Sequence, residues 1–551
     1  MSSPPTRELN APVEVLVDRS GRLGALSYRV PDGLPVTPGD AVTVPFGNST
    51  REGVVLGPSS QPGKATKALR ERHGRRIHPA DLHVASQVAD FHGADLVTIA
   101  ARLAPAKHRD AAPSDPGPLQ LTQRAVDVEL PDPVRNWSWR LLLRPPAVDP
   151  ARLAACEAVR LASEADGQVL VLCPTVQLIT RVLAELASGA VRLDSRARAG
   201  AWTGWRTGVV PVAVGSRAAA LYSAKKLAGI VVAEEEHPGH VEASLPYTHA
   251  RSVAVRRARA HGCRLTLTSA SPSAAGIGSG VKVLPLPAAK RAWPAVRIVD
   301  RTQVAPSQRQ VLPQVRAAVD RAVKDQLEIV ALAERAAARR LCGRCNEVRP
   351  CDECEVSGCS HRPSQPCGRC QATTLRWVGW DAGRLSQALP AAVPVTFTEL
   401  QKLPRKPRLV LVLNADPLLK TVALEPQHTA ASVLLRAAEA AGAQGQLLVT
   451  TSQPGHAVVA RLRSRDQEGV AKDVYEHARA QALPPFGHLV TVRTSLPSAP
   501  RTDQWPGQIH GPRRRDGEWE LLVHITSDQI DQLRPHLDRA RRRGKTRLWI
   551  R

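Results

Sequence analysis

The chain has 551 residues, 43% hydrophobic but only 3% aromatic, which allows about three to five domains with aliphatic cores. Its 75 Lys+Arg against 50 Asp+Glu leave a formal net charge of +25, with arginine in excess over lysine. Such a field draws polyanions, arginine pairs bidentately with phosphate, and no apolar run reaches the ~18 residues of a membrane span, so nucleic acid is the expected partner and a membrane is not.

Residues 1–10 are polar and lack the apolar stretch of a secretory leader, which predicts a cytoplasmic protein. From about 10 to 60 short strands alternate with turns at Pro31-Asp32-Gly33 and Pro38-Gly39-Asp40, the pattern of a small barrel. Residues 80–104 read as helical, and 105–135 as a Pro-rich polar linker. From 136 apolar strands at 141–143, 169–172, 208–214, 229–233 and 264–268 alternate with helices such as 175–188, the signature of a parallel sheet. The pattern resumes after 290, with strands at 327–332, 409–413 and 446–450 on either side of a cysteine-rich stretch. Beyond 465 come a helix at 470–483, strands at 489–493 and 518–525, and a basic helix at 528–543.

The expected class is therefore multidomain α/β: an N-terminal domain at 8–110, a linker at 111–135, α/β lobes at 136–290 and 291–464, an insertion at 341–372, and a C-terminal α+β domain at 465–551.

Seven of the ten cysteines fall between Cys342 and Cys370. The pairs Cys342/Cys345, Cys351/Cys354 and Cys367/Cys370 each place two thiolates on one tight turn, and Cys359 with His361 adds a fourth couple. Eight donors suffice for two tetrahedral zinc ions of the closed, structural kind. Disulfides do not suit a chain expected in the reducing cytosol. Cys156, Cys173 and Cys263 lie in apolar stretches and read as core.

The order of several short motifs resembles the primosomal protein N′ (PriA) family. They are Tyr28-Arg29-Val30-Pro31, Val44-Pro45-Phe46-Gly47, Val214-Gly215-Ser216-Arg217, Val231-Val232-Ala233-Glu234-Glu235-Glu236-His237, Tyr247-Thr248-His249-Ala250-Arg251, Ser269-Ala270-Ser271-Pro272-Ser273 and Pro484-Pro485-Phe486-Gly487. The resemblance implies a small β-barrel-like domain that binds DNA 3′ ends, two RecA-like helicase-type lobes with a zinc insertion, and a C-terminal domain. It assigns Cys342, Cys345, Cys367 and Cys370 to one zinc, and Cys351, Cys354, Cys359 and His361 to a second. It also points to DNA contacts at Gly47, Lys67, Arg217 and Arg251. The cluster of Arg541, Arg542 and Arg543 is basic enough to meet a phosphate backbone on its own. Leu26-Ser27 replaces the aromatic and acidic residues of the family's 3′-end pocket. Trp202, Trp205, Trp377 and Trp380 could stack on bases, but core packing is expected for each.

The ATPase machinery of that family is eroded. A phosphate loop needs glycines, inward N–H groups and a lysine. The corresponding segment, Arg144-Pro145-Pro146-Ala147-Val148-Asp149-Pro150, has no glycine or lysine and three residues without an N–H. Gly544-Lys545-Thr546 follows a helix and has Arg539 where the loop requires glycine. Glu234 stands where a magnesium-ordering Asp is expected, Ser271 replaces a Thr, and Arg436 is the lone remnant of an arginine-finger motif. The expectation is a pseudo-helicase that binds neither ATP nor Mg²⁺. It would recognise stalled or recombination-derived forks and promote primosome assembly with helicase-loading proteins and single-stranded DNA-binding protein at the nucleoid. An active 3′–5′ helicase with a divergent nucleotide site, or a zinc-ribbon nucleic-acid-binding factor, are the alternatives left open.

Overall fold

The computed structural model describes the chain except residues 1–7, 18–24, 93, 104–110, 124–129, 131–137, 243–247, 288, 304–310, 334–338, 343, 346, 348–365, 401–402, 404–405, 420–424, 516, 544–545 and 551. The strand Val13–Val17 buries every second side chain, as a half-covered sheet requires. It pairs antiparallel with Ala25–Tyr28 and Ser49–Pro58, and the ladder continues through Asp40–Phe46 to Glu71–Arg75. Valines from the inner face close a small core with Tyr28 and Leu69.

Two helices, Pro79–His92 and Leu96–Leu103, stand where one helical stretch was expected, and the first anchors this domain to the next. Its Asp81 is fully buried and accepts from Arg257 Nε at 2.9 Å, His261 Nε2 at 2.8 Å and the Ser223 hydroxyl at 2.7 Å. Burial works against the carboxylate, but Arg257 and His261 hold it well below the usual range.

The first lobe is a seven-stranded sheet with its neighbours all parallel. Its strand Gln168–Leu172 is buried throughout, the near-continuous apolar run of a strand covered on both faces. The strand expected at 208–214 is shorter, Val212–Gly215, because Gly208 is left-handed (φ 84°) and ends the helix Ala199–Thr207. Part of the expected linker is strapped to this lobe. Ser114 N–H donates to Gly200 O at 2.9 Å, and Gln120–Leu121 pairs with Leu186–Ser188. That pairing stops the helix Val176–Glu185 short of residue 188.

The second lobe is a five-stranded parallel sheet, ordered Ala295–Asp300, Gln446–Thr451, Leu409–Val412, Ile329–Leu332, Val393–Val395. An antiparallel hairpin of Arg339–Cys342 with Leu375–Val378 carries the cysteine insertion. At the C-terminus the strands Gln508–Arg515, Glu518–Ile525, His488–Thr494 and Thr546–Ile550 form an antiparallel sheet beside the helix Ile530–Arg543. The first and last of these strands were not foreseen. Among the described residues no helix is long and apolar enough to cross a membrane.

Candidate functional site

The carboxyl ends of parallel strands are where α/β sheets place ligands. Here the strands Trp139–Leu143, Leu227–Val232 and Arg264–Ser269 end facing helix Pro426–Ala441 of the second lobe. The first strand runs into Arg144, which is fully buried. Its Nε and Nη2 donate to the two Glu234 oxygens at 2.8 and 3.0 Å, a bidentate pair. Nη2 also donates to Glu439 across the cleft at 2.9 Å, and Nη1 to the Val148 carbonyl at 2.8 Å.

Arg436 answers from the second lobe. It reaches Glu234 at 2.5 Å, Glu236 at 2.6 Å and Glu439 at 3.1 Å. Three further bonds tie the same faces. Gln467 Nε2 donates to the carbonyls of Arg144 and Ala270 at 2.8 and 2.9 Å, and His428 Nε2 lies 3.0 Å from the Ser271 carbonyl.

The electrostatics are those of a closed network. Burial disfavours the charge on Arg144, but Glu234 and Glu439 outweigh it and raise its pKa above the usual arginine value. Burial likewise opposes the Glu234 carboxylate, and Arg144 and Arg436 pull it well below the usual range. Glu236 goes the other way. Burial, with Glu234 and Glu235 nearby, pushes it up to about 8 despite Arg436. Glu236 therefore keeps its proton at neutral pH, and two guanidiniums face Glu234 and Glu439. Glu234 sits in the left-handed backbone region at φ 52°, a conformation costing a non-glycine residue about 1–2 kcal/mol. Its two arginine partners hold it there.

The loop after Arg144 has its amides engaged as well. Arg144 N–H donates to Ser269 O at 2.8 Å, Ala147 N–H to Ala292 O at 2.9 Å, and Val148 N–H to Pro145 O at 3.0 Å. Asp149 caps helix Pro150–Glu164 through Ala151 N–H at 2.8 Å. Burial works against that carboxylate, but Arg181 and the Ala151 N–H hold it below the usual range. The helix N-terminus, the natural seat of a phosphate, thus already carries a carboxylate.

Glu235 points away from the cleft. It accepts from Arg251 at 2.6 Å and from Ser273 N–H and Oγ at 2.7 and 2.9 Å, packed so closely over Gly276 that a Cβ there would stand 2.4 Å from its oxygen. Arg251 is buried in this pair. Arg217 is partly exposed, with Nη1 donating to Gly239 O at 3.3 Å and Nε 3.6 Å from Glu242.

In the N-terminal domain the structure joins two residues 20 positions apart. Gly47 turns the chain at φ 57° with open space where a Cβ would lie, and Lys67 Nζ donates to its carbonyl at 3.3 Å on an exposed rim. Tyr28 is buried and donates to Pro45 O at 3.0 Å. Ser27 bonds Ser59 at 2.7 Å.

Cys342, Cys345, Cys367 and Cys370 converge, with all four sulfurs within 4.8 Å of one another. Two knuckles build the cluster: Cys342 N–H donates to Glu347 O at 2.8 Å and Cys367 N–H to Ala372 O at 3.0 Å. The Cys342–Cys370 and Cys345–Cys367 sulfurs are 3.4 and 3.5 Å apart, against about 3.8 Å along a tetrahedral edge at Zn–S ≈ 2.3 Å. The N–H groups of Cys345 and Arg344 lower the Cys342 thiol, while at Cys345 the Glu347 N–H is outweighed by burial and the neighbouring sulfurs, which raise that thiol. The donor set fits one zinc ion. Cys351, Cys354, Cys359 and His361 lie outside the described residues.

Arg541, Arg542 and Arg543 form the last turn of helix Ile530–Arg543, and their side chains also lie outside the described residues. Trp202, Trp205 and Trp380 are buried core residues, as are Cys156, Cys173 and Cys263. Arg144, Glu439 and Gln467 were missed as site residues. The signal for Arg144 was an arginine at the end of a buried apolar strand, which calls for a carboxylate partner.

A family model for the 3′DNA-binding domain (3′BD) of PriA matches residues 14–99. The replication restart protein PriA of Bacillus subtilis is 22% identical over 399 residues, covering 60% of this chain and 50% of that protein. Its counterpart in Synechocystis is 24% identical over 406 residues, covering 59% and 49%. The chain thus spans about half the length of the curated relatives it matches.

Among solved structures, a DEAD box protein from Methanococcus jannaschii aligns at a TM-score of 0.27 and 9% identity, covering 63% of this chain and 87% of that one. The Escherichia coli DEAH/RHA helicase HrpB aligns at a TM-score of 0.28 and 13% identity, covering 57% and 40%. Scores this low carry no weight here. Residues 14–99 thus match the 3′DNA-binding domain of PriA, and about three-fifths of the chain is similar to replication restart proteins PriA.

Proposed function

We propose that this chain is a DNA-binding replication restart protein that recognises branched DNA and assembles the primosome on it without ATP-driven unwinding. The observation that carries this reading is the cleft between the lobes. Where a nucleotide's phosphates, magnesium and arginine finger would meet, Arg144, Glu234, Glu236, Arg436 and Glu439 bind one another. The residues present do not fit ATP: the loop's amides are engaged, and Asp149 would repel a phosphate at the helix N-terminus. The helicase-like lobes then serve as scaffold.

DNA recognition is assigned to the rim at Gly47 and Lys67, to Arg217 and to the basic helix end at Arg541, Arg542 and Arg543. Arg251, spent on Glu235, acts through the fold. Two zinc ions are proposed, one on the described cysteine cluster and one on Cys351, Cys354, Cys359 and His361. Each would pin a loop of the insertion. The partners proposed are forked DNA, helicase-loading proteins and single-stranded DNA-binding protein, in the cytoplasm at the nucleoid.

The test is fork binding and ATP turnover measured on one preparation. Tighter binding to a fork than to a duplex of equal length, with no DNA-stimulated ATPase, is expected. Fork-stimulated hydrolysis that disappears in Glu235→Gln would overturn the reading.

A further inference from the structure

Helix Ala250–His261 carries four arginines with two different fates. Arg251 is spent on Glu235 and Arg257 on Asp81, both buried pairs. Arg256 and Arg259 have no carboxylate partner among the described residues. The Arg256 side chain is partly buried, its guanidinium donates to the Ser252 carbonyl at 3.2 Å, and it lies 5.1 Å from the Phe91 ring centroid. A cation–π contact holds a cation without neutralising it. Burial, then repulsion from Arg259, lowers its pKa below the usual arginine value. Arg259 is exposed beside it, and two like charges with no carboxylate between them attract an anion.

Both arginines line a cavity of about 860 Å³. Its walls come from four units of the protein: Phe91 of the N-terminal domain, Arg256 and Arg259 of the first lobe, His428 of the second, and Pro485 and His488 of the C-terminal domain. The units are tightly joined around it. Gly278 packs so close to the Pro485 ring that a Cβ would stand 2.3 Å away, and Phe91 meets His488 edge-on at 5.6 Å. Two acids reach the wall. Glu236 is engaged by Arg436 and Ser269, and Glu425 lines the cavity beside His428's helix.

We propose that this cavity holds the phosphodiester backbone of a single DNA strand, with Arg256 and Arg259 as its anion-binding pair. The volume falls in the range of ligand pockets, ~300–1,000 Å³; it admits a few nucleotides of one strand and not a duplex. A strand seated there touches all four units at once, which makes the cavity a place where the branch of a fork is sensed. The inference rests on the DNA-binding reading above.

The full chain is titrated with a fluorescent oligothymidylate at several salt concentrations, as wild type, as Arg256→Ala/Arg259→Ala and as Arg256→Lys/Arg259→Lys. Losing two phosphate contacts flattens the log–log salt slope by about 1.4 and weakens binding about tenfold or more. The lysine pair keeps the slope. Hydrogen exchange of wild type should show residues 250–261 protected by the oligonucleotide and not by inorganic phosphate at equal concentration; this arm decides the matter if the alanine variant does not fold. Wild-type binding with unchanged slope in the alanine variant, or without protection of 250–261, overturns the cavity while the DNA-binding reading stands. A wild type that binds no DNA overturns both.

Discussion

The cleft between the lobes and the rim of the N-terminal sheet both stand where the PriA resemblance places a ligand, and their polar groups are treated in opposite ways. In the cleft, Arg144 is fully buried and each of its guanidinium nitrogens has an acceptor inside the protein. At the rim, Gly47 faces open space and Lys67 is held by a single exposed bond of 3.3 Å. A site that satisfies itself has become structure; a site whose groups are left over is kept for something else. The cysteine cluster belongs with the rim, since its four sulfurs face one another, two pairs at 3.4 and 3.5 Å, with backbone amides and no cation among their described partners. On the proposed reading, this contrast is that of a nucleotide site turned into an interlobe clasp, beside DNA-facing and metal-binding groups that are kept.

The largest effect should come from metal. Structural zinc contributes about 10–16 kcal/mol in small zinc-finger peptides. Chelation should therefore abolish hydrogen-exchange protection of the hairpin Arg339–Cys342 and Leu375–Val378 while both parallel sheets keep theirs. Protection that survives chelation would move the cysteines into the self-satisfied class.

Next comes the clasp. Removing one partner of a buried ion network leaves the others uncompensated, at a cost of about 3–5 kcal/mol. Arg144→Ala should lower stability by that amount in denaturant unfolding, without any gain in nucleotide affinity. A loss below about 1 kcal/mol would mean that the cleft is solvated and open.

Protonation gives a smaller, signed effect. Glu236 has its folded pKa raised from 4.5 to about 8, so its contribution to stability is complete below about 4.5 and is lost as pH rises through about 8. Glu234 is shifted down, and its contribution is present above about 4.5 and lost in acid. Melting temperature should fall between pH 5 and 9, and Glu236→Gln should flatten that stretch. An equal decline in the variant would place the titration elsewhere.

At the rim the effects on stability are smallest. Gly47→Ala forces a side chain into a left-handed turn and should cost about 1 kcal/mol. Lys67→Ala, on an exposed side chain, should change stability by no more than about 0.5 kcal/mol and yet, on the proposed reading, weaken binding to forked DNA.

Much of this was legible from local pattern. The strand expected at 518–525 is Glu518–Ile525, with alternating burial, and the parallel strands fell where apolar runs recur. What was missed depended on distant partners. Gln508–Arg515 reads as a loop because it holds Gly511, Pro512 and three arginines; its pairing with Glu518–Ile525 makes it an edge strand, with Glu520 accepting from Arg513. The segment 111–123 looked like a free linker because only contact with Gly200 and Leu186 gives it a place. Arg144 read as a lost phosphate loop, since nothing near it in sequence announces Glu439, 295 positions on. The meeting of Gly47 with Lys67 followed from the family resemblance, not from spacing.

The most direct measurement is calorimetric titration of Mg–ATP into the wild-type chain held on saturating forked DNA. If Arg144 and Arg436 occupy the cleft with Glu234, Glu236 and Glu439, no saturable heat appears up to millimolar nucleotide. A one-to-one isotherm in the micromolar range, lost in Arg436→Ala, would show that the cleft still opens for a nucleotide and would contradict the conversion.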